Sequence, residues 1–173
     1  SEVTKIPLSG IRKVIAERMS GSLRNTAQTT LNSSALADSL QSVRKRLNSA
    51  SETKSESACV TINDVILYAV SRTLRQLPAL NATYSEGEII QYESVHLGYA
   101  VDTQRGLLVP VIRNADTLTL AQISSKAQEM TTACGDGSIQ PEDMSNGTFT
   151  VSNLGALGIE SFAPILNPPQ VGI

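Results

Sequence analysis

The spacing of the apolar residues changes near residue 80, and this change restricts the fold more than any other feature of the sequence. Between Thr61 and Pro78 the apolar side chains recur every three or four residues, as on the buried face of a helix. From Ala82 onward they alternate with polar residues, as in a half-buried strand. Helical and strand segments thus occupy largely separate parts of the chain. This predicts an α+β fold, a two-layer sandwich in which a mixed sheet packs with helices.

Two of the predicted helices carry a start signal as well as an apolar stripe. Thr61 and Asp64 have the spacing of a capping box, in which each side chain bonds to the backbone N–H of the other residue. Thr119 and Gln122 repeat the pattern ahead of a second stripe. Both segments are therefore predicted to be helices that bury one face.

The N-terminal third predicts two amphipathic helices. One covers residues 9–24, where Ser9 can cap the first turn. Residues 28–32 are a short strand candidate, and the second helix carries the apolar stripe Leu36, Leu40, Val43 and Leu47. Residues 49–58 are polar and predict an exposed loop that is too short to separate domains. Residues 1–173 are accordingly predicted to form a single domain.

The strand region predicts a hairpin, two longer strands and one strand that ends in a turn. Residues 82–84 and 89–93 flank the hairpin turn, and residues 95–101 form a longer strand. The returning stretch LLVPVI contains Pro110, which has no N–H and so places that strand at an edge or at a bulge. Residues 148–152 alternate again before Asn153-Leu154-Gly155 breaks the pattern, which leaves the Ser152 hydroxyl at the end of a strand.

Composition excludes two classes of partner. The 14 lysines and arginines against 16 aspartates and glutamates give a net charge of −2, and aromatic residues make up 3% of the chain. A nucleic-acid surface needs a basic stripe with interleaved aromatics, so no nucleic-acid partner is expected. No apolar run reaches the roughly 18 residues that a membrane span requires, so no membrane partner is expected either.

Cysteine and histidine are too few for a metal centre of the usual kinds, and no metal is expected. Cys59 and Cys134 are interpreted as two reduced thiols, although a single bridge between them stays open. His96 is the one histidine. The nearest carboxylate on its strand face, Asp102, is about 20 Å away along an extended chain. His96 is therefore interpreted as a structural or surface residue.

Five stretches in fixed order carry a family resemblance: IPLSGIRKVIAERMSGSL, VTINDVILYAVSRTL, PALNATY, VHLGYAVDTQRGLLVPVI and GTFTVSNLGALGIESFAPILNPPQVGI. Together they resemble the catalytic domain of the dihydrolipoamide acyltransferases, the E2 components of 2-oxo acid dehydrogenase complexes. The resemblance implies the chloramphenicol-acetyltransferase-like fold. It also implies a homotrimer that assembles into a larger hollow core, with active sites between subunits.

The implied reaction moves an acyl group between dihydrolipoamide and coenzyme A, which enters as a substrate. A lipoyl group on a separate domain, the E1 and E3 components, and a bacterial cytoplasm or mitochondrial matrix belong to the same implication. In this family the serine of the TFT-[IV]-S motif stabilises the oxyanion, and this serine corresponds to Ser152. No residue of the chain is assigned to coenzyme A, and acetyl, succinyl and branched-chain acyl groups all fit the motifs.

The family's general base is a histidine in a His-x-x-x-Asp-Gly motif, which lies further toward the C-terminus than this chain extends. His96 does not match, since Ala100 stands four positions later. The expectation is a C-terminally truncated acyltransferase core that is inactive alone. Two alternatives stay open: a catalytically silent E2-like structural or binding subunit, and a stand-alone acetyltransferase of the chloramphenicol type, which the motifs favour less.

Overall fold

The computed structural model describes residues 3–51 and 59–173. Within these residues lie four α-helices: α1 (Gly10–Asn25), α2 (Asp38–Ser51), α3 (Ile62–Gln76) and α4 (Leu120–Asp136). The seven strands are β1 (Ala82–Ser85), β2 (Glu88–Gln91), β3 (Leu97–Tyr99), β4 (Val101–Thr103), β5 (Gly106–Leu108), β6 (Val111–Ile112) and β7 (Phe149–Val151). The predicted α+β class is confirmed.

Helix α3 begins at the predicted capping box. The Asp64 N–H donates to the Thr61 Oγ1 at 3.1 Å, and the Thr61 N–H donates to the Asp64 Oδ2 at 2.8 Å. The Ser124 hydroxyl donates to the same Asp64 oxygen at 2.9 Å. Because Ser124 lies on α4, one buried carboxylate both caps α3 and joins the two helices.

The second capping box is also confirmed. Thr119 Oγ1 accepts from the Gln122 N–H, and the Gln122 side chain accepts from the Thr119 N–H. The helix ends at Gly137, whose φ of 85° is left-handed, and the Gly137 N–H donates to the Ala133 carbonyl. A glycine adopts this conformation without strain from a Cβ, so it ends the helix cleanly.

Three expectations for the N-terminal third are wrong in detail. Helix α1 forms as predicted, but the Ser9 side chain makes no capping hydrogen bond. Residues 28–32 form no strand: they have no ladder partner in the described chain, and the Gln28 side chain bonds Ser22 and Thr26 instead. Helix α2 starts after Leu36 and continues to Ser51, into the predicted loop; residues 52–58 of that loop lie outside the described residues.

The strands form one three-stranded sheet and two hairpins. In the sheet, of order β6-β3-β7, β3 runs antiparallel to β6 and parallel to β7, so the sheet is mixed as predicted. The hairpins are β1–β2, as predicted, and β4–β5. The single strand expected over 95–101 is divided instead, with β3 pairing to β6 and β4 pairing to β5.

Pro110 explains this division. It lies between β5 and β6, and without an N–H it cannot donate to a ladder, so the antiparallel pairing is interrupted there. Its carbonyl still accepts from the Tyr99 N–H at 3.1 Å. β6 then forms an edge of the described sheet, which agrees with the prediction from the proline.

The core lies between the three-stranded sheet and helices α3 and α4. Tyr99 links the two layers, because its hydroxyl donates to the Ala127 carbonyl of α4 at 2.8 Å. Burial raises the pKa of Tyr99 to about 12, so this donor keeps its proton. The other fully buried members include Leu67, Val95, Leu97, Ile112, Ile123 and Cys134.

The two cysteines are both free, as predicted, with Cys59 exposed and Cys134 buried. Burial raises the pKa of the Cys134 thiol.

In the part of the chain that the structure describes, no helix combines the length and apolar character needed to cross a membrane.

The two capping boxes predict different energetic costs. Asp64→Ala should lower the free energy of unfolding by about 2–4 kcal/mol, because it removes a helix cap and leaves the buried Ser124 hydroxyl without its acceptor. Gln122→Ala is the matched change at the solvent-exposed box and should cost only about 0.5–1 kcal/mol. Urea denaturation followed by circular dichroism measures both. Equal losses would show that the buried link between α3 and α4 adds nothing.

Candidate active site at the end of β7

Strand β7 is fixed on both sides before it reaches Ser152. Its register with β3 pairs Phe149 with Leu97 and Val151 with Tyr99. The Ala100 N–H donates to the Val151 carbonyl at 2.9 Å, immediately before the serine. On the other side, the buried Thr150 hydroxyl donates to the Gln170 Oε1 at 2.6 Å. Ser152 therefore follows a rigid strand, as the sequence predicted.

The turn after Ser152 is held by one asparagine. The Asn153 Oδ1 accepts from the Gly155 N–H at 2.9 Å, closing a local turn. The Asn153 Nδ2 lies 3.5 Å from the Asn63 Oδ1, at the second residue of α3. The turn thus rests against the N-terminal end of α3 and does not project freely into solvent.

The Ser152 side chain is half-buried, and its hydroxyl has no hydrogen-bond partner in the described parts of the chain. It can therefore donate to an incoming oxygen without first breaking a protein contact. A serine nucleophile needs an adjacent base to take its proton, and no described titratable side chain bonds to this hydroxyl. The geometry suits a hydrogen-bond donor to an oxyanion better than a nucleophile.

His96 lies at the opposite end of the same strand pair. The Thr148 N–H donates to the His96 carbonyl at 2.7 Å, at the start of β7, whereas Ser152 follows its end. His96 and Ala100 are four positions apart along the extended backbone, a span of about 13 Å. His96 is therefore out of reach of Ser152.

The imidazole of His96 is engaged with the backbone. Its Nδ1 accepts from the Asn114 N–H at 3.1 Å, which places the ring proton on Nε2. Partial burial, and then the positive charge of Arg113, lower the pKa of His96, while Asp116 opposes them. These contacts agree with the interpretation of a structural histidine.

The sequence interpretation missed both asparagines that support the serine. Asn153 carried a local signal, since asparagine after a strand commonly closes a turn on a backbone N–H two residues later. Asn63 carried no such signal, because its approach to Asn153 spans 90 residues of chain.

Between α3 and α4, a cleft of about 360 Å³ is lined by Asn63, Asp64, Tyr99 and Thr131, among others. Among residues 3–51 and 59–173, no three metal-ligating side chains converge.

The comparisons with known proteins cover the whole chain. Residues 1–173 match the family model described as 2-oxoacid dehydrogenases acyltransferase (catalytic domain). A dihydrolipoyllysine-residue acetyltransferase component of the acetoin cleaving system of Bacillus subtilis is 40% identical over 169 residues, covering 98% of this chain and 42% of the relative. The acetyltransferase component of the mitochondrial pyruvate dehydrogenase complex of Dictyostelium discoideum is 36% identical over 99% of this chain and 26% of the relative. The chain thus spans less than half of these relatives.

Solved structures match the fold closely. One concerns the roles of a serine, a histidine and an asparagine in the catalytic mechanism of Azotobacter vinelandii dihydrolipoamide acetyltransferase; its TM-score is 0.92 at 31% identity, over 99% of this chain and 72% of that one. The cubic core of a pyruvate dehydrogenase multienzyme complex gives the same four values: 0.92, 31%, 99% and 72%. The chloramphenicol-acetyltransferase-like fold expected from the motifs is confirmed.

The lowered pKa of His96 predicts a pH dependence of stability. The unfolded chain takes up this proton near the ordinary pKa of about 6.5, whereas the folded chain does so only at lower pH. The free energy of unfolding should therefore fall as pH drops from 6.5 through the folded pKa. An NMR titration of the single histidine measures that pKa. His96→Asn, which keeps an acceptor oxygen, should flatten the decline, and a folded pKa above 6.5 would contradict the assignment.

Proposed function

The chain belongs to the family of 2-oxoacid dehydrogenase acyltransferase catalytic domains, and on this premise we propose that its gene product moves an acyl group between dihydrolipoamide and coenzyme A. The named relatives are dihydrolipoyllysine-residue acetyltransferases, which favours acetyl among the acyl groups left open by the motifs. The same names favour an active enzyme over a silent structural subunit.

The observation that carries the proposal is the Ser152 hydroxyl, which follows a strand held on both sides and has no hydrogen-bond partner among the described residues. Either thiol substrate, with a pKa near 8.5, is mostly protonated at neutral pH, so a general base removes its proton during attack. The thiolate adds to the thioester carbonyl, whose oxygen becomes an oxyanion. Ser152 donates a hydrogen bond to that oxyanion. The intermediate then expels the other sulfur as a thiolate, which takes the proton back from the base.

The general base lies outside these 173 residues in this proposal. The chain holds one histidine, His96, and this residue is at the wrong end of β7 to reach a substrate bound at Ser152. The structural relative whose mechanism involves a serine and a histidine supports a two-residue division of the chemistry. We assign the oxyanion donor to this chain and the base to another segment of the gene product or to a neighbouring subunit.

Assembly into a homotrimer, and of trimers into a larger core, is the oligomeric state proposed here. The related cubic core supports it. So do the large apolar side chains exposed in the N-terminal part of the chain, among them Val3, Ile6, Leu31 and Leu36. The proposed partners are a lipoyl domain and the E1 and E3 components, in a bacterial cytoplasm or a mitochondrial matrix. The relatives include a Bacillus subtilis protein and a mitochondrial one.

Ser152→Ala tests the oxyanion role. Loss of one such donor should lower kcat by about 10²- to 10³-fold and leave KM for coenzyme A nearly unchanged, because the hydrogen bond forms mainly in the transition state. Acetyl transfer from acetyl-coenzyme A to dihydrolipoamide by the intact gene product is the measurement. Ser125→Ala, at an exposed serine of α4, is the matched control and should retain full activity.

Three outcomes separate the parts of the proposal. A loss below about threefold in Ser152→Ala would remove the serine from the mechanism but leave the enzyme assignment standing. A folded, assembled gene product with no transfer activity would instead identify a silent subunit. The 173-residue polypeptide assayed alone is expected to show no turnover, because it contains no histidine near Ser152; turnover there would overturn the placement of the base.

A further inference from the structure

A second cleft lies at the other end of β7 from Ser152. Its volume is about 650 Å³, and it extends between α1, the start of β7 and residues 167–170. Its lining includes Arg18, His96 and Arg113 but neither aspartate nor glutamate. Nothing in the proposed acyl transfer uses this cleft, and its charged side chains, those of Arg18 and Arg113, are hydrogen-bond donors only.

Both arginines are held in place by backbone carbonyls. The Arg18 Nη2 donates to the Pro168 carbonyl at 2.9 Å. The Arg113 Nη2 donates to the Glu142 carbonyl at 2.8 Å and to the Ser145 carbonyl at 3.3 Å. Each guanidinium keeps its Nε and Nη1 donors for another acceptor. Because the head groups are already anchored, a ligand loses less side-chain entropy in using them.

Among residues 3–51 and 59–173, neither guanidinium forms an ion pair with an acid. In the described residues the ion pairs are Lys13–Glu17 and Arg75–Asp116, which leaves Arg18 and Arg113 without a carboxylate partner. Two positively charged side chains therefore line one cleft of a chain whose net charge is −2. Such a concavity attracts anions.

His96 adds a neutral donor to this set. With Nδ1 occupied by the Asn114 N–H, the ring proton sits on Nε2, which no described group accepts. Tyr92 also lines the cleft, with its hydroxyl 3.0 Å from the Thr83 hydroxyl. The donors that line the cleft thus come from α1, from chain next to the strands and from loops.

We propose that this cleft binds a phosphate group. A phosphate presents several acceptor oxygens in a tetrahedron and can accept from two guanidinium forks and an imidazole N–H together, which a planar carboxylate cannot do as fully. The volume exceeds that of a lone ion, so the group can come from inorganic phosphate or from a phosphate monoester. The site is independent of Ser152 and of the acyl-transfer proposal.

The His96 imidazole makes binding directly observable. Inorganic phosphate, added to the intact gene product at constant ionic strength, should shift the imidazole resonances of His96, assigned by their loss in His96→Asn, in a saturable way. Arg113→Gln and Arg18→Gln should each weaken binding about tenfold, because each removes charged hydrogen-bond donors. Arg24→Gln removes the same charge from α1, where Arg24 donates to the Ser20 carbonyl and is not among the residues that line the cleft, and should leave affinity unchanged.

A second set of probes separates the two sources of the phosphate. Adenosine monophosphate that binds more tightly than inorganic phosphate identifies a monoester as the ligand, and equal affinity identifies the free ion; both support the site. Adenosine that binds as well as its monophosphate would overturn the proposal. So would the absence of a saturable shift with every phosphate probe, or equal affinity of wild type and Arg18→Gln. Circular dichroism checks that each variant is folded, and Arg18→Gln decides if Arg113→Gln is not.

Discussion

The parallel pairing of β3 with β7 positions both Ser152 and His96, which lie at opposite ends of this strand pair. It aligns two short strands from distant parts of the sequence. Register places Tyr99 opposite Val151, so the chain leaves the sheet at Ser152 on one side. At the other side, the Thr148 N–H and hydroxyl bond the backbone of His96. A slip of one residue would exchange the faces of every side chain on β7 and displace the Ser152 hydroxyl.

Two polar links hold the helices against this strand pair. The Asp64 carboxylate joins the cap of α3 to Ser124 of α4, and the Tyr99 hydroxyl joins β3 to the backbone of α4. Both are buried, so they restrict how the two layers can move relative to each other. Since Asn63 lies beside Asp64, the same cap positions the residue that touches the turn after Ser152.

Ser152 and the cleft lined by Arg18 and Arg113 differ in charge. The serine turn is neutral and presents one hydroxyl, which suits a charge that exists only in a transition state. The cleft near Arg18 and Arg113 carries permanent positive charge, which suits a ligand that is anionic before it binds. The length of β7 separates the two, so a group held at one does not perturb the other through direct contact.

The amino-acid sequence alone determined the elements whose signals lie within a few neighbouring residues. Both capping boxes, the helical stripes, the hairpin and the strand that ends at Ser152 depend on residues close together in the chain, and ordered motifs identified the family. Tertiary structure decided the rest. Distant segments meet in the parallel pairing of β3, in the contact of Asn153 with Asn63 and in the cleft that Arg18 and Arg113 both line. The packed chain also decided the division of the strands at Pro110. No local propensity encodes such contacts, because they exist only once the layers have packed.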